Sequence, residues 1–509
     1  MLSNPLVLDG YNLTIDKLIS ITRGNRKVEI SDEARKRIIK AREVIEKKLK
    51  EGAIIYGVTT GFGKLANTSI SPDEREQLQL NLIRSHSIGF GDYIPDEVVL
   101  GAMVIELNSF CKGASGISLE TVEIIKALVN NRVIPLVPDT GSVGASGDLS
   151  PLAYIASVLV GEGKAKFKGE ILTAAEVLKK MGLKPLKLKA KEGLALINGT
   201  HVLTSYAAHA IYNAENLIKH STLALSITLE AFHGNGDAFL DFLMELRPHN
   251  GQKLFAQAVK KIITGSTIVK PPFKRVQDPY SLRCSPQVHG AIIDTLNYCK
   301  SVVEVELNSV SDNPLINIKE EKVASGGNFH GEPIALVMDF LSIALAELSS
   351  ITERRINLLL DSNLSGLPSF LTEKPGLNSG LMILQYAVAA LLSENKILAH
   401  PASVDNTSVS ANQEDHVSMG LTASKKAYKI TNNLVPIIAA EIYTAFQALE
   451  FEKKLKPSDV VVRVKEYLKQ YIKPVLIDNR YDKYVSWIAE QIRNKALIKL
   501  VEDEVGNLW

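Results

Sequence analysis

Residues 138–156 read PDTGSVGASGDLSPLAYIA. Glycines stand at 141, 144 and 147, every third residue, which is too much glycine for the start of a stable helix. Asp148 then precedes Leu149, and Ser150-Pro151 reads as an N-cap followed by a first helical residue. The pattern predicts a tightly bent loop over 138–151 that delivers Ala145-Ser146-Gly147 to the mouth of a helix. With such small neighbours, the Gly147 amide nitrogen can attack the Ala145 carbonyl. Loss of water closes a five-membered ring, and loss of the Ser146 hydroxyl leaves an exocyclic methylene, an electrophile made from backbone and one serine. The tripeptide alone is a weak signal. Gly113-Ala114-Ser115-Gly116 repeats it without the preceding glycines or the following Asp-Leu-Ser-Pro, and reads as an ordinary turn.

The rest of the chain suits an ordinary globular enzyme. It has 509 residues, 46% hydrophobic and 22% charged, with a net charge of +2. That balance offers no electrostatic case for nucleic acid or an anionic membrane. Cys111, Cys284 and Cys299 are odd in number and widely spaced, with no metal-ligand pattern, which fits a reducing cytoplasm and no disulfide framework. The N-terminal MLSNPLVLDGYN lacks the basic patch and apolar run of a signal peptide. Asp339, Glu347 and Gln385 interrupt the most apolar helices, against a membrane span.

Periodicity predicts a mainly α protein. A small helix is expected near Ile15–Thr22 and a clear one from Asp32 to Lys50, where Ala34, Ile38, Ala41, Ile45 and Leu49 form an apolar stripe ended by Gly52. Ala53–Tyr56 reads as a short strand-like run leading into GVTTGFG (57–63), a glycine-rich loop without nucleotide-binding spacing. Ser85-His86 ends a helical run, 165–172 suggests a β-ribbon, and a boundary falls just before Asn198. Beyond it, long helices are expected at 199–232, 287–310, 331–360, 377–399 and 416–450, with one hairpin at 315–323 and a peripheral cap at about 453–509. The expected architecture is a long-helix bundle (198–509) with a smaller mixed N-terminal domain (1–197) carrying the 138–151 loop and the tyrosine loop 56–63.

Six segments in chain order resemble the aromatic amino-acid lyase family: Tyr56 with GVTTGFG; GSVGASGDLSPLA; KEGLALINGT, which ends at Thr200; VQDPYSLRCSPQ (276–287); SVSDNP and SGGNFHGEP (309–333); and LAHPASVDNTSVSANQEDHVSM (398–419). The resemblance implies that Ala145-Ser146-Gly147 becomes methylidene-imidazolone (MIO), with no metal or nucleotide cofactor. It implies Tyr56 as general base, and Arg283 and Tyr280 on the substrate carboxylate. Asn198 and Gln277 are hydrogen-bond donors, Phe329 a pocket wall, and Glu414 a partner for an amine or imidazole. The chemistry is coherent. Ammonia leaves poorly and a β-proton is barely acidic, so an enzyme lacking a metal or pyridoxal needs its own electrophile. The residues leave attack by the substrate amine and attack by its ring both open. An ordinary tyrosine titrates near pH ~10, so Tyr56 needs donors or dipoles to act as phenolate.

Within that family, Ser85-His86 and Gln413-Glu414-Asp415-His416 are similar to the histidine-using type, and they suit an imidazole, which both donates and accepts. The resemblance thus implies a carbon–nitrogen lyase that converts L-histidine to urocanate at the start of histidine degradation. It also implies a homotetramer with shared active sites. Two departures stand beside this: Thr59 where such relatives commonly carry asparagine, and His201 where glutamine is expected. The rival readings are another MIO enzyme, acting on phenylalanine or tyrosine or as an aminomutase, and a non-catalytic helical assembly protein of the same fold.

Overall fold

The computed structural model describes residues 4–475 and 477–509. Residues 1–3 of the N-terminal reading and 476 of the cap lie outside them. Helix Asp32–Lys50 shows how closely local chemistry sets an element. Ser31 caps it, its Oγ accepting from the Ala34 N–H at 3.1 Å, and Asp32 and Glu33 open it while Lys47, Lys48 and Lys50 close it. Both charge clusters complement the helix dipole. The long helices are His201–Ala231, Ser285–Glu306, Glu332–Leu360, Met382–Leu398 and Gly420–Leu449, each close to its expected stretch. Glu332–Leu360 is apolar and long enough by composition to cross a membrane, but 72% of its most apolar window is buried inside the protein, as in a core helix of a bundle.

Strands are few and short. The ribbon expected at 165–172 forms from Lys164–Phe167 and Glu170–Thr173, with Ile134–Pro135 on its other edge. Leu315–Asn317 and Lys322–Ala324 form the hairpin. Two local expectations need correction. Ala53–Tyr56 is not a strand: Ile54 is 88% exposed, and Thr59 Oγ1 folds back to accept from the Ile55 N–H at 2.8 Å, turning the chain before any pairing can start. Ser150 is not the N-cap of helix Ser150–Leu159; Leu149 takes that place, and the Ser150 hydroxyl donates to the Ile88 carbonyl instead.

Two compact units emerge. The first comprises residues 1–209, 300–339 and 401–425; the second comprises 210–299, 340–400 and 426–509. The partition interleaves the sequence, where the sequence reading drew one boundary before Asn198. Helices His201–Ala231, Glu332–Leu360 and Gly420–Leu449 each begin in the first unit and end in the second. The second unit is held by a buried polar clasp. Arg355 pairs bidentately with Glu441 at 2.5 and 2.7 Å, both fully buried, and Thr228 Oγ1 donates to the same carboxylate at 3.0 Å. Such a pair adds little net stability but makes its partners expensive to remove singly.

Candidate active site

The first unit contains a cleft of about 1030 Å³ lined by residues from distant parts of the sequence, among them Tyr56, His86, Ser146, Asn198, Phe329 and Glu414.

The Ala145-Ser146-Gly147 loop is fixed from below. Gly147 lies at φ +73°, and a Cβ there would overlap the Gly199 carbonyl oxygen. The two glycines form a parallel bridge, and the Asp148 N–H donates to that carbonyl at 2.7 Å. Ser142 Oγ donates to the Gly147 carbonyl at 3.1 Å and accepts from the Gly144 N–H at 3.1 Å, closing the loop on itself. Ala145 is 7% exposed, while Ser146 faces the cleft. Asp148 is fully buried. Its Oδ2 accepts from the Val202 and Leu203 N–H groups at 2.7 and 3.2 Å, at the positive end of helix His201–Ala231. Burial still pushes its carboxyl up to about 7, against the pull of those two donors. Leu149 follows at φ 42°, a strained conformation for a non-glycine residue.

The tyrosine loop has its own foundation. Ile55 and Val58 sit in a cluster with Ala41, Val44, Ile45, Ala190 and Ile316. Gly57 (φ +65°) has no room for a side chain: a Cβ would stand 2.6 Å from both Leu194 and the Phe62 ring. The buried Gln79 amide ties Gly57 to helix Glu192–Ile197, donating to the Gly57 carbonyl and accepting from the Leu194 N–H, both at 3.0 Å. The Tyr56 hydroxyl accepts from the Gly63 N–H at 2.9 Å, and its ring meets Phe62 edge-on at 6.4 Å. Burial raises the Tyr56 hydroxyl, the Gly63 donor opposes that, and the Glu414 charge adds to the rise. The expected lowering toward phenolate is therefore not achieved by this chain's pocket alone. One donor does not outweigh burial and a nearby carboxylate.

His86 ends helix Arg75–His86. Its Nδ1 lies 2.9 Å from the Leu82 carbonyl, which can only accept, so Nδ1 carries the proton and Nε2 is left as an acceptor. Burial lowers its pKa and keeps the ring neutral. Glu414 closes a tight turn with Val409 that runs through Ser410, Ala411 and Asn412, all at positive φ. Its carboxyl is raised by burial. Asn198 Nδ2 donates to the Asn313 carbonyl at 3.0 Å, leaving Oδ1 buried with no partner among the described residues. Thr59 and His201, the two departures, are both buried. Thr59 serves the tyrosine-loop turn, and the His201 ring packs under Gly199.

Gln277, Tyr280 and Arg283 belong to the second unit. Gln277 is exposed and Tyr280 is 70% exposed. The Arg283 guanidinium lies 4.8 Å from the Tyr280 ring centre and donates to the Asp278 carbonyl at 3.3 Å. The cleft described above is lined by first-unit residues only. Lys64, Asn313 and Gln413 also line it, although the sequence reading gave none of them a role of its own. Lys64 directly follows GVTTGFG and Gln413 precedes Glu414, so adjacency to a motif was the available signal. The Ser115 copy of the tripeptide is buried in a bend between Gly113 (φ +71°) and Gly116 (φ +69°), and it lines no part of the cleft.

The profile of the aromatic amino acid lyase family matches residues 13–470. A histidine ammonia-lyase of Caldanaerobacter subterraneus subsp. tengcongensis is 46% identical over 500 residues, covering 98% of each chain. The crystal structure of histidine ammonia-lyase from Trypanosoma cruzi superposes with a TM-score of 0.92 at 38% identity, over 98% of this chain and 96% of that one. A tyrosine aminomutase from Streptomyces globisporus does so at 0.94 and 31% identity, over 99% of each. With a glycine-wedged Ala-Ser-Gly loop and a tyrosine lining one cleft, this chain belongs to the aromatic amino acid lyase family.

Proposed function

We propose that this protein eliminates ammonia from L-histidine without oxidation, giving trans-urocanate. The observation that carries the reading is the polar pair in the cleft: His86, held as an Nε2 acceptor, and Glu414, half-buried. An imidazole N–H satisfies the first, and a carboxylate can take the other ring nitrogen or the amine. A phenyl ring would leave both desolvated and unpaired. The 46% identity to a histidine ammonia-lyase along nearly the whole chain supports the same substrate over the phenylalanine, tyrosine and aminomutase readings.

The residues fit an MIO group made from Ala145, Ser146 and Gly147. Gly147 is pressed against Gly199 where no side chain fits, Ala145 is buried, and Ser146 opens to the cleft. Once formed, that group supplies the electrophile that activates the substrate for loss of ammonia. The chain's own side chains orient and move protons. Tyr56 accepts the β-proton at its hydroxyl oxygen. Asn198, with its free Oδ1, and Gln277 hold polar atoms of the bound substrate and the loop. Arg283 pairs bidentately with the carboxylate beside Tyr280, and Phe329 walls the ring pocket from water.

The assembly is a homotetramer whose sites combine residues of different copies. The exposure of Gln277 and Tyr280 supports this, since donors meant for a buried carboxylate are left on a surface. None of the three cysteines forms a disulfide, which supports a cytoplasmic location. The test is kcat/KM for L-histidine, L-phenylalanine and L-tyrosine on wild type and His86→Phe. A site built on buried polar partners rejects an isostere lacking them by about 10⁴-fold. His86→Phe should lower histidine use and narrow that gap. Wild-type formation of cinnamate or coumarate as efficient as that of urocanate overturns the assignment.

A further inference from the structure

Next to two residues that line the cleft, Phe329 and Glu414, the chain brings together three side chains that the reaction does not use. His330, Glu332 and His416 each present one donor atom, and these atoms all lie within 4.8 Å of one another. The two imidazoles lie parallel, 4° apart in plane with centres separated by 5.8 Å. Their one direct link is weak: His330 Nε2 stands 3.4 Å from the His416 carbonyl. Glu332 opens helix Glu332–Leu360, and its Oε2 is buried with no hydrogen-bond partner among the described residues. A buried carboxylate oxygen left bare is costly.

We propose that His330, Glu332 and His416 form a binding site for a divalent transition metal of the zinc class, with its fourth position open to solvent. The donor set chooses the metal. Two imidazoles and one carboxylate suit Zn²⁺ or its neighbours, whereas Ca²⁺ and Mg²⁺ take oxygen ligands almost entirely. Donor atoms around a tetrahedral Zn²⁺ stand about 3.3 Å apart, from bonds of roughly 2.0–2.1 Å. Small side-chain rotations close the observed spacing to that value. His416 is exposed, so an ion can enter from solvent.

The location gives the ion a role. His330 follows Phe329 directly, and His416 stands two residues after Glu414. Bound metal clips the 325–333 segment to the 409–417 segment, joining the two pieces of wall that present Phe329 and Glu414 to the cleft. It touches no reacting atom. It is a positioning device, independent of which amino acid the enzyme uses.

The test uses full-length protein, stripped with a chelator and then dialysed free of it, with no substrate present. ZnCl₂ is titrated calorimetrically and CoCl₂ by visible absorption. The expected result is one ion per chain, the intense Co²⁺ bands of a low-coordinate site, and a Tm that rises with added Zn²⁺. His416→Ala, at an exposed position, should fold normally, weaken Zn²⁺ binding by at least ~10-fold and abolish the Tm rise; loss of an outer-sphere partner alone typically costs ~10–100-fold. Glu332→Gln should do the same, and His400→Ala, an exposed histidine outside the cluster, should change nothing. Absence of saturable Zn²⁺ binding, or binding of unchanged affinity in His416→Ala, overturns the proposal.

Discussion

Gly147→Ala probes the foundation of the electrophile, and its cost can be worked from the backbone. Gly147 sits at φ +73°, where an L-residue pays about 1–2 kcal/mol. Gly52 has the same φ of +73° with nothing within 4 Å of where a Cβ would stand, so Gly52→Ala pays that term and nothing more. At Gly147 the added methyl overlaps the Gly199 carbonyl, which is backbone and cannot rotate away. The loop must lift, breaking the 2.7 Å bond from the Asp148 N–H. Leaving those two groups buried and unpaired adds about 1–3 kcal/mol, for a total of about 2–5 kcal/mol. Urea unfolding followed by far-UV circular dichroism measures both variants, and the difference between them isolates the clash. Intact mass reads the chemistry: wild type should lack two water molecules, Ser115→Ala should lack them too, and Ser146→Ala and Gly147→Ala should not. A Gly147→Ala protein that is no less stable than Gly52→Ala, or that keeps the mass deficit, refutes the reasoning.

Three other outcomes follow from the same structure. Tyr56→Phe should fold and keep the mass deficit but lose about 10²–10⁴-fold in kcat, as removal of a general base does; near-wild-type turnover would mean that Tyr56 only packs against Phe62. Mixing Tyr56→Phe with Arg283→Lys subunits should restore activity that neither has alone, because some sites then regain both residues; activity that stays at the parental level argues against shared sites. Acid should destabilise the fold through His220, which burial lowers from 6.5 to about 4. Between those values the unfolded chain binds a proton that the folded one does not, so stability is intact above pH ~6.5 and falls as pH drops, by about 2 kcal/mol at pH 5 from this residue alone. His220→Gln should flatten the pH dependence of Tm in that window, and an unchanged slope would mean that His220 is protonated in the native state.

Helix boundaries were legible where caps, charges and apolar spacing agreed, as at Ser31 and Lys50. They failed where a tertiary contact outranked a local preference. Ser150 has the chemistry of an N-cap, but its hydroxyl is taken by the Ile88 carbonyl, and Leu149 is driven to φ 42° in its place. Ala53–Tyr56 is apolar like a strand, yet the Thr59 side chain turns it. The glycines of the central loop announced a bend without saying what required it. The cause is Gly199, over fifty positions away, and no local pattern carries such a contact. The cleft-lining candidates Tyr56, Ser146, Asn198, Phe329 and Glu414 were readable because each sits in a distinctive motif. Lys64 and the His330–Glu332–His416 convergence were not, because their meaning arises only from where the chain places them.

The electrostatics of the cleft bear directly on the proposed role of Tyr56. A base must exist partly as phenolate, yet burial and Glu414 both hold the Tyr56 proton on, and the Gly63 N–H is the single opposing donor. Lys64 is the one lysine or arginine in the described lining, and it is exposed. A substrate carboxylate placed there would add a further negative charge. Positive charge must therefore arrive with the reaction partners. In the proposed mechanism the substrate's ammonium group would supply one, and set against Glu414 it would offset the lesser of the two effects that raise Tyr56, burial being the larger. Arg283, whose guanidinium lies against the Tyr280 ring, would supply the other by pairing with the substrate carboxylate. In the proposed mechanism, then, the charge that lets Tyr56 act as a base is brought by the substrate and Arg283, because the described cleft lining raises the Tyr56 hydroxyl.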